Sequence, residues 1–455
     1  MLERRFNTLQ ATALNMTNML GAGPFITIPL LIAAMGGPQS MLGWAVALLI
    51  TLADGLVWSE LGAAMPHSGG TYGYLRRAFS PLVSRLMAFL FIWQLIISGP
   101  MEIASALVGI RPYLAYVWPQ LTELHTQLVS VGMALVIIWL LYRRIDSIAK
   151  LTVALWVGVL ITVAVVIAVG AMHFDPKLAF DFPKGWWQPD GNLKYWMGFM
   201  MGLASASSIG IYDYLGYYDI CYIGDEVKNP GRTIPRAVLF SLVGVALIYL
   251  CIHLSFLGSL PWREVSGKDG FPIAAVFMEK WYGRSSAILL TLLIIWTTYA
   301  GVFALTLGYS RIPYAAARDG GFFKVFGKLH PTGAFPHLSL VVIGLLSIAF
   351  AFMSLSTIIG ALLITRFAVQ FIGQIAALIW LRQHQPQMAR PFKMWLYPLP
   401  CMIALAGWLF LIASFDLQIK IYGLGAVVLG TLAFFIWETY KSPPKDELSQ
   451  DPQQT

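Results

Sequence analysis

Apolar residues in this chain come in runs of about twenty, separated by short polar connections, and a run of that length crosses a membrane as one helix. The pattern predicts about twelve spans, near residues 7–35, 40–65, 82–117, 126–142, 147–171, 194–224, 236–259, 285–314, 337–353, 355–381, 394–415 and 417–438. A short amphipathic helix is expected at 271–282, ahead of the eighth span. Two runs carry their own interruption. Gly21 and Gly23 weaken the first helix and Pro24 removes a backbone donor, so residues 17–29 should unwind and begin again. In the sixth run, Gly210, Asp213, Gly216 and Asp219 fall within Ser205 to Gly224, too many small and charged residues for a lipid-facing helix. Unwound backbone at membrane depth is tolerated only where protein buries it or where it lines a watery cavity, and transporters hold solute and ions there. The breaks lie five spans apart, which predicts two five-helix repeats of opposite orientation.

Composition agrees with the pattern. The 455 residues are 58% hydrophobic and 11% charged, against about 25% charge in soluble proteins, which excludes a soluble enzyme or a string of soluble domains. The net charge of +8 does not point to nucleic acid, because the basic residues cluster on one side of the predicted spans: Arg4, Arg5, Arg76, Arg77, Arg143, Arg144, Arg232, Arg236, Arg311, Arg318, Arg382 and Arg390. By the positive-inside rule both termini are expected in the cytoplasm, with the chain in the cell membrane. Cys221, Cys251 and Cys401 form no CxxC pair, so a disulfide framework, a metal site and a cofactor are not expected. A membrane enzyme needs a nucleophile or metal cluster near an interface, and a channel needs repeated pore-lining motifs or charge rings. Neither pattern is evident.

Three motifs, with the breaks in place, carry a resemblance: Gly21-Ala22-Gly23-Pro24-Phe25; Ser68-Gly69-Gly70-Thr71-Tyr72 with Arg76-Arg77; and Asp225-Glu226-Val227-Lys228-Asn229-Pro230-Gly231-Arg232-Thr233-Ile234-Pro235. A fourth is Ser310-Arg311 with Ala315-Ala316-Ala317-Arg318-Asp319-Gly320. In this order and spacing the chain resembles the amino acid-polyamine-organocation (APC) superfamily, as an amino acid permease with features similar to the polyamine-proton symporter branch. The resemblance implies an all-α polytopic membrane protein with a LeuT-like 5+5 inverted repeat, broken helices 1 and 6, and alternating access. It divides the chain into a cytoplasmic N-terminus (1–6), a ten-helix transport core (7–385), helices 11 and 12 (386–440) and a disordered cytoplasmic tail (441–455). The implied partner is a small solute, an amino acid or polyamine, within membrane lipid, in a monomer or homodimer.

Carried over by position, Gly21, Ala22 and Gly23 look like the segment whose amides take a substrate carboxylate, chemistry that a helix N-terminus provides in any case. Opposite them, the carbonyls of Tyr212, Leu215 and Gly216 would accept from an ammonium, and Tyr212 stands where related transporters place a gating aromatic. Close helix packing is the other role for the two glycines. Several members of the superfamily replace a sodium ion by a lysine in span five; the position here is Val153, with Lys150 one turn away. The coupling ion is therefore a proton or sodium, and Thr297 and Thr298 are either sodium ligands or packing residues.

Asp54, Glu102, Asp213, Asp219 and Arg366 fall inside apolar spans, where a charge costs about 2.5–3.5 kcal/mol on insertion scales and needs a partner or a task. Asp54 and Glu102 resemble acids of the polyamine-proton symporters. Glu102 ranks first as proton carrier or amine receptor, Asp54 and Asp219 are further candidates for proton coupling, Glu102, Asp213 or Asp219 would be distal anchors for a cationic solute, and pairing with Arg366 is the structural alternative for any of them. Asp225 and Glu226, among Lys228, Arg232 and Arg236, form a candidate inner gate or a solvated helix end. His253, in mid-span, is expected to be a satisfied packing residue.

Overall fold

Glycine and proline punctuate the apolar runs, and helices start and stop at them. The computed structural model describes residues 4, 6–67, 69–142, 148–266, 270–331 and 335–440, without the side chains of 148–156. Arg5, Ser68, Arg143, Arg144, the side chains of Lys150 and Val153, and the tail 441–455 therefore lie outside the described residues. The first helices are α1 (Thr8–Met19), α2 (Gly23–Met35), α3 (Met41–Ala64), α4 (Thr71–Arg77), α5 (Pro81–Gly109), α6 (Arg111–Val117), α7 (Glu123–Leu141) and α8 (Ile148–Met172). After the short α9 (Pro176–Ala179) come α10 (Leu193–Tyr214), α11 (Pro230–Leu257), another short helix, α12 (Trp262–Val265), and α13 (Ile273–Arg318). The chain ends with α14 (His337–Phe350), α15 (Leu355–Arg366), α16 (Ile372–His384), α17 (Leu399–Ser414) and α18 (Leu417–Tyr440).

Among the described residues, seven helices are long and apolar enough to cross a membrane, and α1 with α2, bent by 58°, make an eighth. Shorter apolar helices at Val157–Met172, His337–Phe350 and Leu399–Ser414, and the interrupted α10, fill the remaining predicted spans. The protein is an all-helical, multi-pass membrane protein of the expected fold, with helices 1 and 6 broken. Two details differ from the sequence expectation. The amphipathic helix at 271–282 and the eighth span form one continuous element, kinked where Gly283 takes φ 76°, ψ 176°, a conformation that a side chain would strain. Between α15 and α16, Phe367–Phe371 form a π turn, so the tenth span carries an irregular turn beside Arg366.

The helices pack in two groups. Both halves of the first span lie against the sixth and seventh, α1 on α11 and α2 on α10, and α3 packs on α10 and α11. In the second group α5 contacts α13, α14 and α15, while α8 lies along α13. Between helices in lipid, close packing replaces the hydrophobic drive, so small residues sit where backbones meet. A Cβ added to Gly43 of α3 would lie 2.6 Å from the Ala206 Cβ and 2.9 Å from its carbonyl carbon, and one on Gly210 would lie 3.0 Å from the Ala47 Cβ. Aromatic faces finish the seam: Trp58 stacks on Tyr218 at 4.4 Å, and Trp44 packs against Tyr214 and Tyr249 at 5.6 and 5.1 Å. The start of α1 is strapped to the segment before α11 by two main-chain bonds, Phe6 N–H to the Glu226 carbonyl (3.0 Å) and Lys228 N–H to the Phe6 carbonyl (2.9 Å).

Gly43→Val forces a branched side chain into the Ala206 backbone and should cost about 1–3 kcal/mol by overpacking. The thermal midpoint of detergent-purified protein should fall, while Gly132→Ala, where the added carbon meets nothing within 4 Å, should leave it in place. Equal midpoints for the two variants would remove the α3–α10 contact from the packing argument.

Candidate binding site between two broken helices

The first break occupies Leu20 to Ala22. Leu20 leaves α1 with extended ψ, and its N–H still reaches the Met16 carbonyl at 2.7 Å. Gly21 N–H folds back to the Met19 carbonyl at 3.0 Å, so of the three amides expected to be free this one is used locally. Ala22 caps α2 and Gly23 and Pro24 open it; the Ala22 and Gly23 N–H groups have no acceptor within their own helix, and Pro24 has no N–H to offer. The α2 N-terminus therefore presents a partial positive charge to whatever lies in front of it. A Cβ on Gly21 would meet nothing within 4 Å, so the α1 end of the break borders open space.

The second break follows Tyr214. Leu215 turns out of helix, Gly216 takes φ 107°, and two short 3₁₀ turns, Asp219–Tyr222 and Gly224–Glu226, carry the chain to α11. The Tyr212 and Gly216 carbonyls, expected to be open to an ammonium, accept turn N–H groups from Leu215 (3.3 Å) and Asp219 (3.1 Å), because the chain re-forms turns at once. One lone pair remains on each oxygen. Two side chains hold the breaks together. Asn15, fully buried on α1, donates to the Tyr217 carbonyl (2.5 Å) and accepts from Ile220 N–H (2.9 Å). Tyr249 of α11 places its hydroxyl against the Met19 carbonyl and 3.1 Å from the Asp213 carbonyl, reaching the ends of both interrupted helices.

The membrane acids divide by partner. Glu102 forms an ion pair with Arg366 at 2.5 Å, with the side chains 12% and 3% exposed. The Tyr309 hydroxyl bonds the same carboxylate oxygen, and Arg366 also reaches Tyr309 (3.0 Å) and Ser98 (3.2 Å). Glu102 is thus the acid that pairs with Arg366, through the one carboxylate oxygen that Tyr309 shares. Asp54 is fully buried and accepts from Tyr217 at 2.5 Å, joining α3 to the second break. Asp219 is half-buried and accepts from exposed Asn18 at 2.7 Å, across from the end of α1. Asp213 is 4% exposed, accepts from Thr27 at 2.5 Å, and abuts Gly23 so closely that a Cβ there would collide with its Oδ1.

Tyr212 bonds Ser105 of α5 at 2.7 Å, latching the two helix groups beside the site. Thr297 and Thr298 donate their hydroxyl protons to the Leu293 and Ile294 carbonyls of their own helix, and Thr297 also meets Thr162 at 3.2 Å. At the proposed inner gate, Asp225 lies 3.2 Å from His67, and Glu226 contributes its carbonyl to the Phe6 strap. His253 is satisfied by Trp44 (2.9 Å) and Ser40 (3.3 Å). The sequence did not single out Asn15, Thr27, Ser105, Tyr249 or Tyr309. An amide inside the first apolar run was the available signal for Asn15; the others are ordinary helix residues until the fold aligns them. A surface cavity of about 560 Å³ lined by Gln39, Trp186, Lys194 and Tyr195 lies at the far end of α2, about 18 Å along that helix from the break.

With this geometry the comparisons are specific. The family model "Amino acid permease" matches residues 6–428. The chain belongs to the amino acid permease family. Similar proteins include the human cystine/glutamate transporter (25% identical, over 98% of this chain and 87% of that protein) and the Bacillus subtilis aspartate-proton symporter (26%, over 79% and 70%). The B. subtilis branched-chain amino acid permease BcaP is 23% identical over 96% of this chain and 93% of its own. The permease is a secondary transporter of amino acids, and the small-molecule solute expected from its sequence is of that class.

Glu102→Gln leaves the Arg366 guanidinium buried without its counter-ion, a loss of about 3–5 kcal/mol. The thermal midpoint should drop by several degrees and recover in large part in Glu102→Gln/Arg366→Gln. A single variant as stable as the wild type would deny the pair a structural role.

Proposed function

We propose that this permease takes up amino acids at the plasma membrane with a proton, holding the solute carboxylate at the Ala22–Gly23 amides and alternating access across the Tyr212–Ser105 latch. The observation that carries this reading is the α2 N-terminus, which has no side-chain cap and meets Asp213 of the sixth span at Gly23, with open space at Gly21 on one side and the Tyr212–Ser105 hydrogen bond between helix groups on the other. A helix end of this kind favours an anion, and a seal made from a single hydroxyl pair is readily exchanged. The exposure of Asn18 and half-exposure of Asp219 support entry of water from the α1 side. With the basic connections cytoplasmic, this side is the inner one, and the conformation is inward-facing.

Protons are the favoured coupling ion on two grounds: several carboxyl groups surround the breaks, and the aspartate-proton symporter is among the similar proteins. One observation favours the second reading, a cationic solute. Asp219 lies at the accessible side of the break with an amide rather than a cation as its partner, so its carboxylate suits a distal ammonium or guanidinium.

Proteoliposomes loaded with purified permease should accumulate a labelled mixture of protein amino acids under an inward proton gradient and lose that accumulation on adding a protonophore. Dependence on a sodium gradient instead, with indifference to the protonophore, would reject proton coupling. Competition by unlabelled arginine or putrescine that disappears in Asp219→Asn would select the cationic reading; competition by leucine or aspartate alone would reject it.

A further inference from the structure

Asp213 is placed unlike the other acids of the spans. We propose that its carboxylate is the internal counterpart of the solute carboxylate: it lies against the first residue of α2 in the empty carrier, and it takes up a proton when an amino acid arrives at that helix end. This inference rests on the assignment of the Ala22–Gly23 amides to the solute carboxylate.

Three features of the site support it. First, Asp213 belongs to the last turn of α10, where a carboxylate is opposed by the negative end of its own helix. Its side chain instead lies against Gly23 at the first residue of α2, where the helix end is positive, and glycine is the residue whose missing Cβ admits it. Second, Asp213 Oδ1 is buried without a hydrogen-bond partner, although Oδ2 accepts from Thr27. A buried carboxylate oxygen left unpaired is costly, and here it lies beside Gly23, the first residue of α2, without bonding an amide. Third, the Thr27 hydroxyl lies 2.5 Å from Asp213 Oδ2 and 2.9 Å from the Gly23 carbonyl, yet it has one proton to give. With Asp213 ionised, Thr27 donates to the carboxylate. With Asp213 protonated, the acid donates to Thr27 and Thr27 donates to Gly23. Both states fit the same heavy-atom frame, so the proton can come and go without rebuilding the site.

Among the described residues, the groups that face Asp213 are uncharged. Thr27 faces Asp213 from α2 and Tyr249 from α11, while Tyr212 and Tyr214 flank it on α10 and Trp44 of α3 packs on Tyr214 and Tyr249. Among the described residues no cation bonds Asp213, and Arg366 is engaged with Glu102. A solute carboxylate arriving at Ala22 and Gly23 would therefore put two anions at one helix end in a poorly solvated site. One must be neutralised, and the tethered one takes a proton from the side on which the solute enters, releasing it to the opposite side after the solute leaves. Solute and proton then bind with mutual reinforcement, which is the coupling that a symporter requires.

The test uses the full-length permease in lipid, with the labelled mixture of protein amino acids as probe. In the wild type, adding the mixture should produce the infrared carbonyl stretch of a newly protonated carboxylic acid, and uptake should fall about tenfold from acid to neutral external pH. In Asp213→Asn the new band should be absent, the pH dependence should flatten, and the mixture should bind about tenfold more tightly at neutral pH while no longer accumulating against a gradient. Thr27→Val keeps the carboxylate and removes its relay, so the wild-type band should shift in frequency, which tests the assignment if Asp213→Asn does not fold. Matched pairs that differ by the carboxylate, leucine against isoamylamine and arginine against agmatine, should raise the band only with the amino acid. A wild type that accumulates label while Asp213→Asn keeps both its pH profile and the band would overturn this inference alone. No binding or uptake by the wild type would overturn the site assignment as well.

Discussion

A peptide group that leaves a helix inside a membrane has no water to turn to, and this requirement governs the centre of the permease. Two helices are interrupted at the same place, and the groups they release are taken up by a few side chains from neighbouring segments. Asn15 serves the second break through both ends of its amide, and Tyr249 spans the ends of both helices. The start of α2 receives no side-chain cap. The site is the remainder of that local accounting.

The charges follow the same logic at higher cost. Arg366 in an apolar span is tenable because Glu102, Tyr309 and Ser98 share its hydrogen-bonding capacity. The pair joins α5 to α15, within the group that packs around α13, while Asp54 and Asp213 sit in the group containing the breaks. Beside the breaks, then, the carboxyl groups of Asp54 and Asp213 take neutral donors, whereas Glu102 takes a cation. The Tyr212–Ser105 bond is a contact between the two helix groups.

The arrangement of spans was legible because lipid makes composition and length decisive: runs of twenty apolar residues, the Gly21–Pro24 interruption and the Asp213–Gly216 cluster were each visible in the chain. The merging of 271–282 with the eighth span was hidden, since only the backbone at Gly283 reveals that a kink rather than a loop joins them. At the site, the anomaly of five charges in apolar spans was plain, but their partners were not. Nothing in the sequence says that Arg366 meets Glu102 rather than Asp213, residues more than 150 positions away in either case. The contribution of Thr27 was equally hidden, because a threonine in a helix is usually satisfied by the preceding turn, and only the approach of α10 gives its hydroxyl a second partner.

The strap at Phe6 also limits how the molecule can flex. Before the first half-helix could swing outward alone, two main-chain bonds to Glu226 and Lys228 would have to unzip. The opening segment and the stretch leading into the seventh span consequently travel as one piece, and the swivel available to them is the three-residue elbow from Leu20 to Ala22, a joint already free of helical restraint.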